Sequence, residues 1–129
     1  MIALDTNVWV RYLTNDEPLQ AERALRLLAE AAEVFVPKTV LLELEWVLRA
    51  VYVQPAAVVD KALRQILGLP NVRAEAPEQV AGALELYRAG FDFADALHLR
   101  CSGEVEAFFT FDQAFANRGR RHGEAVLKP

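Results

Sequence analysis

Cysteine is almost missing. Cys101 is the only one in 129 residues, which excludes an internal disulfide and any cysteine-rich zinc site. Histidine is scarce too, and His98 and His122 are the only pair on which a metal-free, histidine-based acid–base mechanism could draw. No apolar run reaches membrane-spanning length before a charge interrupts it. The opening Met1-Ile2-Ala3-Leu4-Asp5 has no basic stretch of the kind that begins a signal peptide. A cytoplasmic protein is the expectation. There is no excess of positive charge either: 18 acids against 14 bases leave a net charge of −4. That balance excludes a general basic coat for nucleic acid, though not a local basic patch. Gly-x-Gly-x-x-Gly and the Walker lysine motif are both absent, which argues against a nucleotide-cofactor enzyme.

What is present is an ordinary globular composition, 53% hydrophobic and 25% charged, long enough to bury a core without a structural metal. Without repeats, low-complexity segments or a linker, residues 1–129 are expected to form a single domain. Short apolar runs alternate with longer helical stretches. Met1–Leu4, Val34–Val36, Asn71–Ala74, Val105–Phe111 and Ala125–Leu127 read as strands. Between them, helices are expected over Val8–Leu13 with Asn7 as cap, from Pro18 through Leu28, over Thr39–Tyr52, from Pro55 to Gly68, from Pro77 to Gly90, and over Asp92–Cys101. After Asp112 the chain reads as a short helical turn and then a glycine- and arginine-rich stretch. The alternation implies an α/β fold with a mainly parallel sheet of about four to five strands covered on both faces. In such sheets ligands bind beyond the carboxyl ends of the strands. Asp5, Thr6, Asn7, Thr110 and Asp112 therefore hold the most informative positions.

Capping offers an ordinary explanation for most of the acids. Asp5 and Asp112 sit where helices begin, and Asp92 with Asp95 makes a pair resembling a capping box. Glu43 has no such explanation in mid-helix. Projected at about 100° per residue, Val40, Leu44, Val47, Leu48 and Val51 form one apolar face, with Glu45 and Arg49 as a solvent-exposed pair opposite. Glu43 then flanks the apolar face, either partly desolvated and in need of a cation or a donor, or as a boundary residue that snorkels to water. On the next acidic helix, Asp92, Asp95 and Leu99 share one side, while Phe93, Leu97 and Cys101 are expected to form the core edge. If Asp5, Glu43, Asp95 and Asp112 converge, their repulsion calls for a cation, and ligands that are all oxygen favour Mg²⁺ or Mn²⁺ over zinc.

Four segments in order carry a wider resemblance: Leu4-Asp5-Thr6-Asn7-Val8, Leu42-Glu43-Leu44 with Trp46-Val47-Leu48, Asp92-Phe93-Ala94-Asp95-Ala96-Leu97, and Thr110-Phe111-Asp112. Together they resemble the PIN-domain nucleases, more narrowly the VapC toxins of prokaryotic type II toxin–antitoxin pairs. The resemblance runs from Ile2 to about Phe115. It implies a PIN-like three-layer α/β/α fold and a Mg²⁺- or Mn²⁺-dependent endoribonuclease that leaves 5′-phosphate ends. Asp5, Glu43, Asp95 and Asp112 match the family's acidic quartet. Thr6, Asn7 and Thr110 match small polar positions that orient metal ligands or water, and Asp92 an accessory acid. A homodimer, an RNA substrate and a cognate antitoxin that blocks the site are further implications.

Two other readings stand beside this one. A non-catalytic RNA- or protein-binding module of the same fold would be marked by a broken quartet, and here it is intact. A histidine mechanism on His98 and His122 would predict cleavage in EDTA and a cyclic phosphate product. Among secondary features, Arg118, Arg120, Arg121 and Lys128 against Glu124 make the C-terminal segment locally basic. Arg11 follows the first acid closely enough to meet RNA by charge, whereas Trp9 reads as core. Trp46 lies off its helix's apolar arc, which suggests a partner surface.

Overall fold

The computed structural model describes residues 1–129, which fall into two compact units, Met1–Pro77 and Glu78–Pro129. The first unit runs β1 (Ile2–Ala3), α1 (Thr6–Leu13), α2 (Pro18–Glu30), β2 (Val34–Val36), α3 (Lys38–Trp46), a π-helical turn (Val47–Val51), α4 (Ala56–Leu67) and β3 (Val72–Ala74). Its three strands form a parallel sheet in the order β1-β2-β3, with Val34 opposite both Ile2 and Val72. Parallel neighbours require crossovers, and helices supply them. Val34 and Val36 on β2 are wholly buried, as are Leu41 and Leu44 on α3 and Leu63 and Ile66 on α4. Each fully buried leucine or isoleucine contributes about 1.5–3 kcal/mol.

Two helix ends in this unit are closed by residues distant in sequence. Pro37 precedes α3 and has no capping side chain, so the Lys38 amide donates to Glu75 Oε1 at 2.9 Å instead. At the end of α2 the Asn71 amide donates to the carbonyls of Leu28 and Ala31, both at 2.9 Å. These bonds satisfy backbone groups that a helix terminus leaves open.

The second unit holds α5 (Pro77–Arg88), α6 (Phe93–Cys101), β4 (Phe108–Phe109), α7 (Gln113–Arg121) and β5 (Val126–Leu127). Its two strands pair in parallel, Phe108 with Val126 and Phe109 with Leu127. A ring cluster of Phe91, Phe108 and Phe115, with Tyr87 edge-on to Phe93, forms much of its apolar interior. The protein is thus α/β with parallel strands, as expected, its five strands divided between a sheet of three and a sheet of two. No helix is long and apolar enough to cross a membrane.

Several sequence expectations need correction. Helix α1 starts at Thr6, not Val8, and its N-cap is Asp5, not Asn7. The helix expected over Thr39–Tyr52 is α-helical only to Trp46. There it loosens into a π turn, closed by the Tyr52 amide on the Val47 carbonyl at 3.1 Å. A π turn takes more residues per turn than an α-helix, so its later residues leave the projected face and Val51, at its end, is 59% exposed. The buried face is Leu41, Leu44, Glu45 and Leu48, which puts Glu45 inside at 3% exposure and leaves Glu43 exposed. Arg49 does pair with Glu45 at 2.8 Å, but the carboxylate is buried, not solvated. On α6 it is Leu99 that is buried and Cys101 that is exposed. Strand β4 is shorter than the expected Val105–Phe111, whose two ends are exposed. The glycine- and arginine-rich stretch continues α7 as a regular helix to Arg121.

Candidate functional site

In the first unit, Asp5 ends the β1 segment and opens α1. Its extended backbone turns the chain, and its Oδ1 accepts from the Thr6 amide at 2.7 Å. Asp5, Thr6 and Asn7 line a recess of about 460 Å³ together with Arg11, Glu43 and Tyr52. Two of the four sequence-predicted acids, Asp5 and Glu43, thus face one cavity. The Glu43 carboxylate makes no hydrogen bond and no ion pair. The Thr6 hydroxyl is buried and has no partner, an unmet requirement that costs about 1–3 kcal/mol unless a ligand or water answers it.

Arg11 borders the same recess and is held on two sides. Its Nε donates to Gln20 Oε1 at 2.8 Å, and its Nη1 donates to Asp16 Oδ1 at 3.0 Å and to the Tyr52 hydroxyl at 3.4 Å. Tyr52 in turn donates to Asp16 Oδ2 at 2.8 Å. The Tyr52 and Thr14 hydroxyls hold the Asp16 carboxyl below its ordinary value; desolvation opposes them and the Arg11 charge assists. Sequence reasoning marked Arg11 but missed Asp16 and Tyr52. No spacing rule joins residues 36 positions apart.

In the second unit the acids are helix caps. Asp92 Oδ2 accepts from the Asp95 amide at 3.1 Å, and Asp112 Oδ1 accepts from the Phe115 amide at 3.0 Å. Both bonds reach the third helical residue, the position a capping side chain normally serves. Thr110 Oγ1 accepts from the Asp112 amide at 3.0 Å, which fixes the turn before α7. Burial, then the negative charges of Asp92 and Asp112, push the Asp95 carboxyl above its ordinary value, while His98 and Arg118 oppose. These three acids therefore share one field. Of the two histidines, both are exposed, and His122 meets the Phe91 ring edge-on at 5.3 Å.

The carboxylates of the chain divide by whether they meet a cation. Asp16, Glu22, Glu45, Asp60 and Glu124 each pair with an arginine. Asp5, Glu43, Asp92, Asp95 and Asp112 pair with no cation. As donors these carboxylates, with the Thr6 and Thr110 hydroxyls and the Asn7 amide oxygen, suit a hard divalent cation. Their chemistry fits Mg²⁺ or Mn²⁺. Their placement is less complete: nowhere do three or more Asp, Glu, His or Cys side chains gather as a set that could hold a metal ion.

Asp5 follows β1 and Asp112 follows β4, the strand-end positions at which parallel α/β sheets bind ligands. The chain matches the PIN domain family over residues 2–121, a span that takes in Asp5, Glu43, Asp92, Asp95 and Asp112, and it belongs to that family. PIN domains are generally nucleases and act on nucleic acids. No curated protein matches the chain.

Proposed function

We propose that this protein is a Mg²⁺- or Mn²⁺-dependent endoribonuclease and the VapC-like toxin of a toxin–antitoxin pair. The observation that carries the reading is the family match, which includes Asp5, Glu43, Asp95 and Asp112 with none of them ion-paired. In this reading these four carboxylates hold the cation, directly or through water. Thr6, Asn7 and Thr110 orient ligands and water, and Asp92 acts as an accessory acid. A bound divalent ion would supply a water of lowered pKa and neutralise charge at the scissile phosphate. An RNA substrate, a homodimer and an antitoxin partner belong to the same proposal. Trp46, 53% exposed on α3, is offered as part of a partner surface.

The missing set of three gathered acids favours a second reading, a PIN-like module that binds RNA or protein without cutting. Cleavage of a mixed-sequence RNA pool separates the two. The nuclease requires Mn²⁺ or Mg²⁺, stops in EDTA, dies in Asp5→Asn and leaves 5′-phosphate ends. Binding without cleavage at any metal concentration supports the module. Cleavage in EDTA with a cyclic phosphate product overturns both and points to His98 and His122.

A further inference from the structure

Beside the acidic recess, α1 and α2 enclose a second groove of about 650 Å³, lined by Asn7, Val8, Arg11, Gln20, Arg23, Ala24 and Leu27. No acid lines it. Asn7 and Arg11 belong to both cavities, so groove and recess adjoin through these two side chains. Arg23 is exposed and makes no ion pair, whereas Arg26 on the same helix is taken by Glu22.

Arg11 is the decisive residue because its remaining donors can be enumerated. A guanidinium has five N–H groups. Gln20 takes the one on Nε, and Asp16 and Tyr52 take those on Nη1. Both N–H groups of Nη2 stay without a partner. The Asp16–Tyr52 bond stiffens the clamp from behind. Such an arginine is already ordered and loses little side-chain entropy when an anion arrives.

We propose that the α1–α2 groove is the track for the nucleic-acid backbone beside the Asp5–Glu43 recess, with Arg11 and Arg23 contacting phosphates and the Asp16–Tyr52 pair positioning Arg11. This rests on the nuclease reading and adds which wall of the protein carries the strand. The free Nη2 of Arg11, the unpaired Arg23 and two side-chain amides suit a phosphodiester chain. The apolar floor of Val8, Ala24 and Leu27 suits sugar edges or a base face.

The test is anisotropy of a fluorescein-labelled, mixed-sequence single-stranded RNA binding to the full chain in Ca²⁺, across a range of KCl concentrations. Arg11→Gln is expected to weaken binding about tenfold, the loss of one charge-assisted hydrogen bond. Arg23→Gln, on an unclamped exposed arginine, is expected to weaken it roughly two- to threefold. Each should flatten the slope of log affinity against log salt by about 0.7, the signature of one lost phosphate contact on a single strand. Tyr52→Phe should weaken binding in the wild-type background and have no effect on top of Arg11→Gln. A folding defect in Arg11→Gln would appear as a lowered melting temperature, and Arg23→Gln then carries the test alone. If wild type binds RNA and both glutamine variants keep its salt slope, the groove assignment is wrong while the nuclease reading stands. If wild type neither binds nor cuts RNA, the nuclease reading falls and the groove with it. A poly-glutamate peptide whose binding depends on both arginines, with RNA binding that does not, overturns the assignment in favour of an acidic protein segment.

Discussion

Asp5, Asp92 and Asp112 each accept a hydrogen bond at a helix N-terminus, so capping alone would account for an aspartate there. Paired substitutions separate that role from a role of charge. Asparagine caps a helix about as well as aspartate, whereas alanine cannot, at a cost of about 0.5–2 kcal/mol. The bonds from Asp92 and Asp112 reach the third helical residue, at 3.1 and 3.0 Å. Each should therefore lose about 1 kcal/mol on Asp→Ala, roughly 3–5 °C in melting temperature for a chain of this size. The Asp5 bond goes to the first helical residue instead, a poorer capping geometry, so Asp5→Ala should cost less. All three Asp→Asn variants should stay within about 0.5 kcal/mol of wild type. Activity should divide differently. Asp5→Asn and Asp112→Asn should abolish metal-dependent RNA cleavage, and Asp92→Asn should only reduce it. Denaturant unfolding and cleavage of one RNA pool, run on all six variants, supply both readouts. Full cleavage by Asp5→Asn and Asp112→Asn would mean that these acids are caps and nothing more. Asn variants as unstable as the Ala variants would refute the capping geometry.

Three further outcomes are expected. A Cβ at Gly119 would lie 2.6 Å from Val126 Cγ2 and 2.8 Å from Val126 Cβ, so Gly119→Ala should lose about 1 kcal/mol despite alanine's higher helix propensity. Val126→Ala should recover part of that loss in the double variant, and a Gly119→Ala protein as stable as wild type in urea would contradict the packing of α7 on β5. Val53 has a left-handed φ of 53° and is 79% exposed; Val53→Gly relieves that strain and should raise stability by about 0.5–1 kcal/mol, which thermal unfolding would read. Asp16 titrates below its ordinary value of 3.8, so its stabilisation is present above that pH and lost as pH falls through its lower folded value. Tyr52→Phe removes the largest cause of the depression, and the Asp16 carboxyl should then titrate closer to 3.8 by carbon NMR; an unmoved titration would refute the bond.

Local patterns were legible where one turn of chain decides the outcome. Val34-Phe35-Val36, closed by Pro37, is a strand, Pro55 and Gly68 bracket α4, and the spacing of Asp92 to Asp95 is the cap that forms. The Glu45–Arg49 pair was visible in its i to i+4 spacing, but its burial was not. The face of α3 is chosen by what packs on it, and the π turn after Trp46 changes the angular advance without a compositional signature. Helix α7 was hidden by its charge, although Phe115, Ala116 and Gly119 form a helical stripe that is buried. Its glycine marks a close approach by β5, not an end of the helix. The Arg11–Asp16–Tyr52 network needs tertiary structure to exist at all, so the sequence held no trace of it.

Capping and cation binding do not compete for the same atoms. Asp5 and Asp112 each give Oδ1 to a backbone amide, and Asp92 gives Oδ2. In each case the second oxygen has no partner. The amide bond fixes the carboxylate plane and thereby aims the free oxygen, while the helix terminus offsets part of the negative charge. That offset lets a protein keep several unpaired acids near strand ends without cations of its own. Asp95 shows where the offset is insufficient, since burial and the charges of Asp92 and Asp112 raise its pKa even at the first turn of α6. An arginine or lysine at that position would relieve the repulsion by itself. Asp5, Glu43, Asp92, Asp95 and Asp112 make no ion pair, so their charge is left for a ligand or solvent to neutralise.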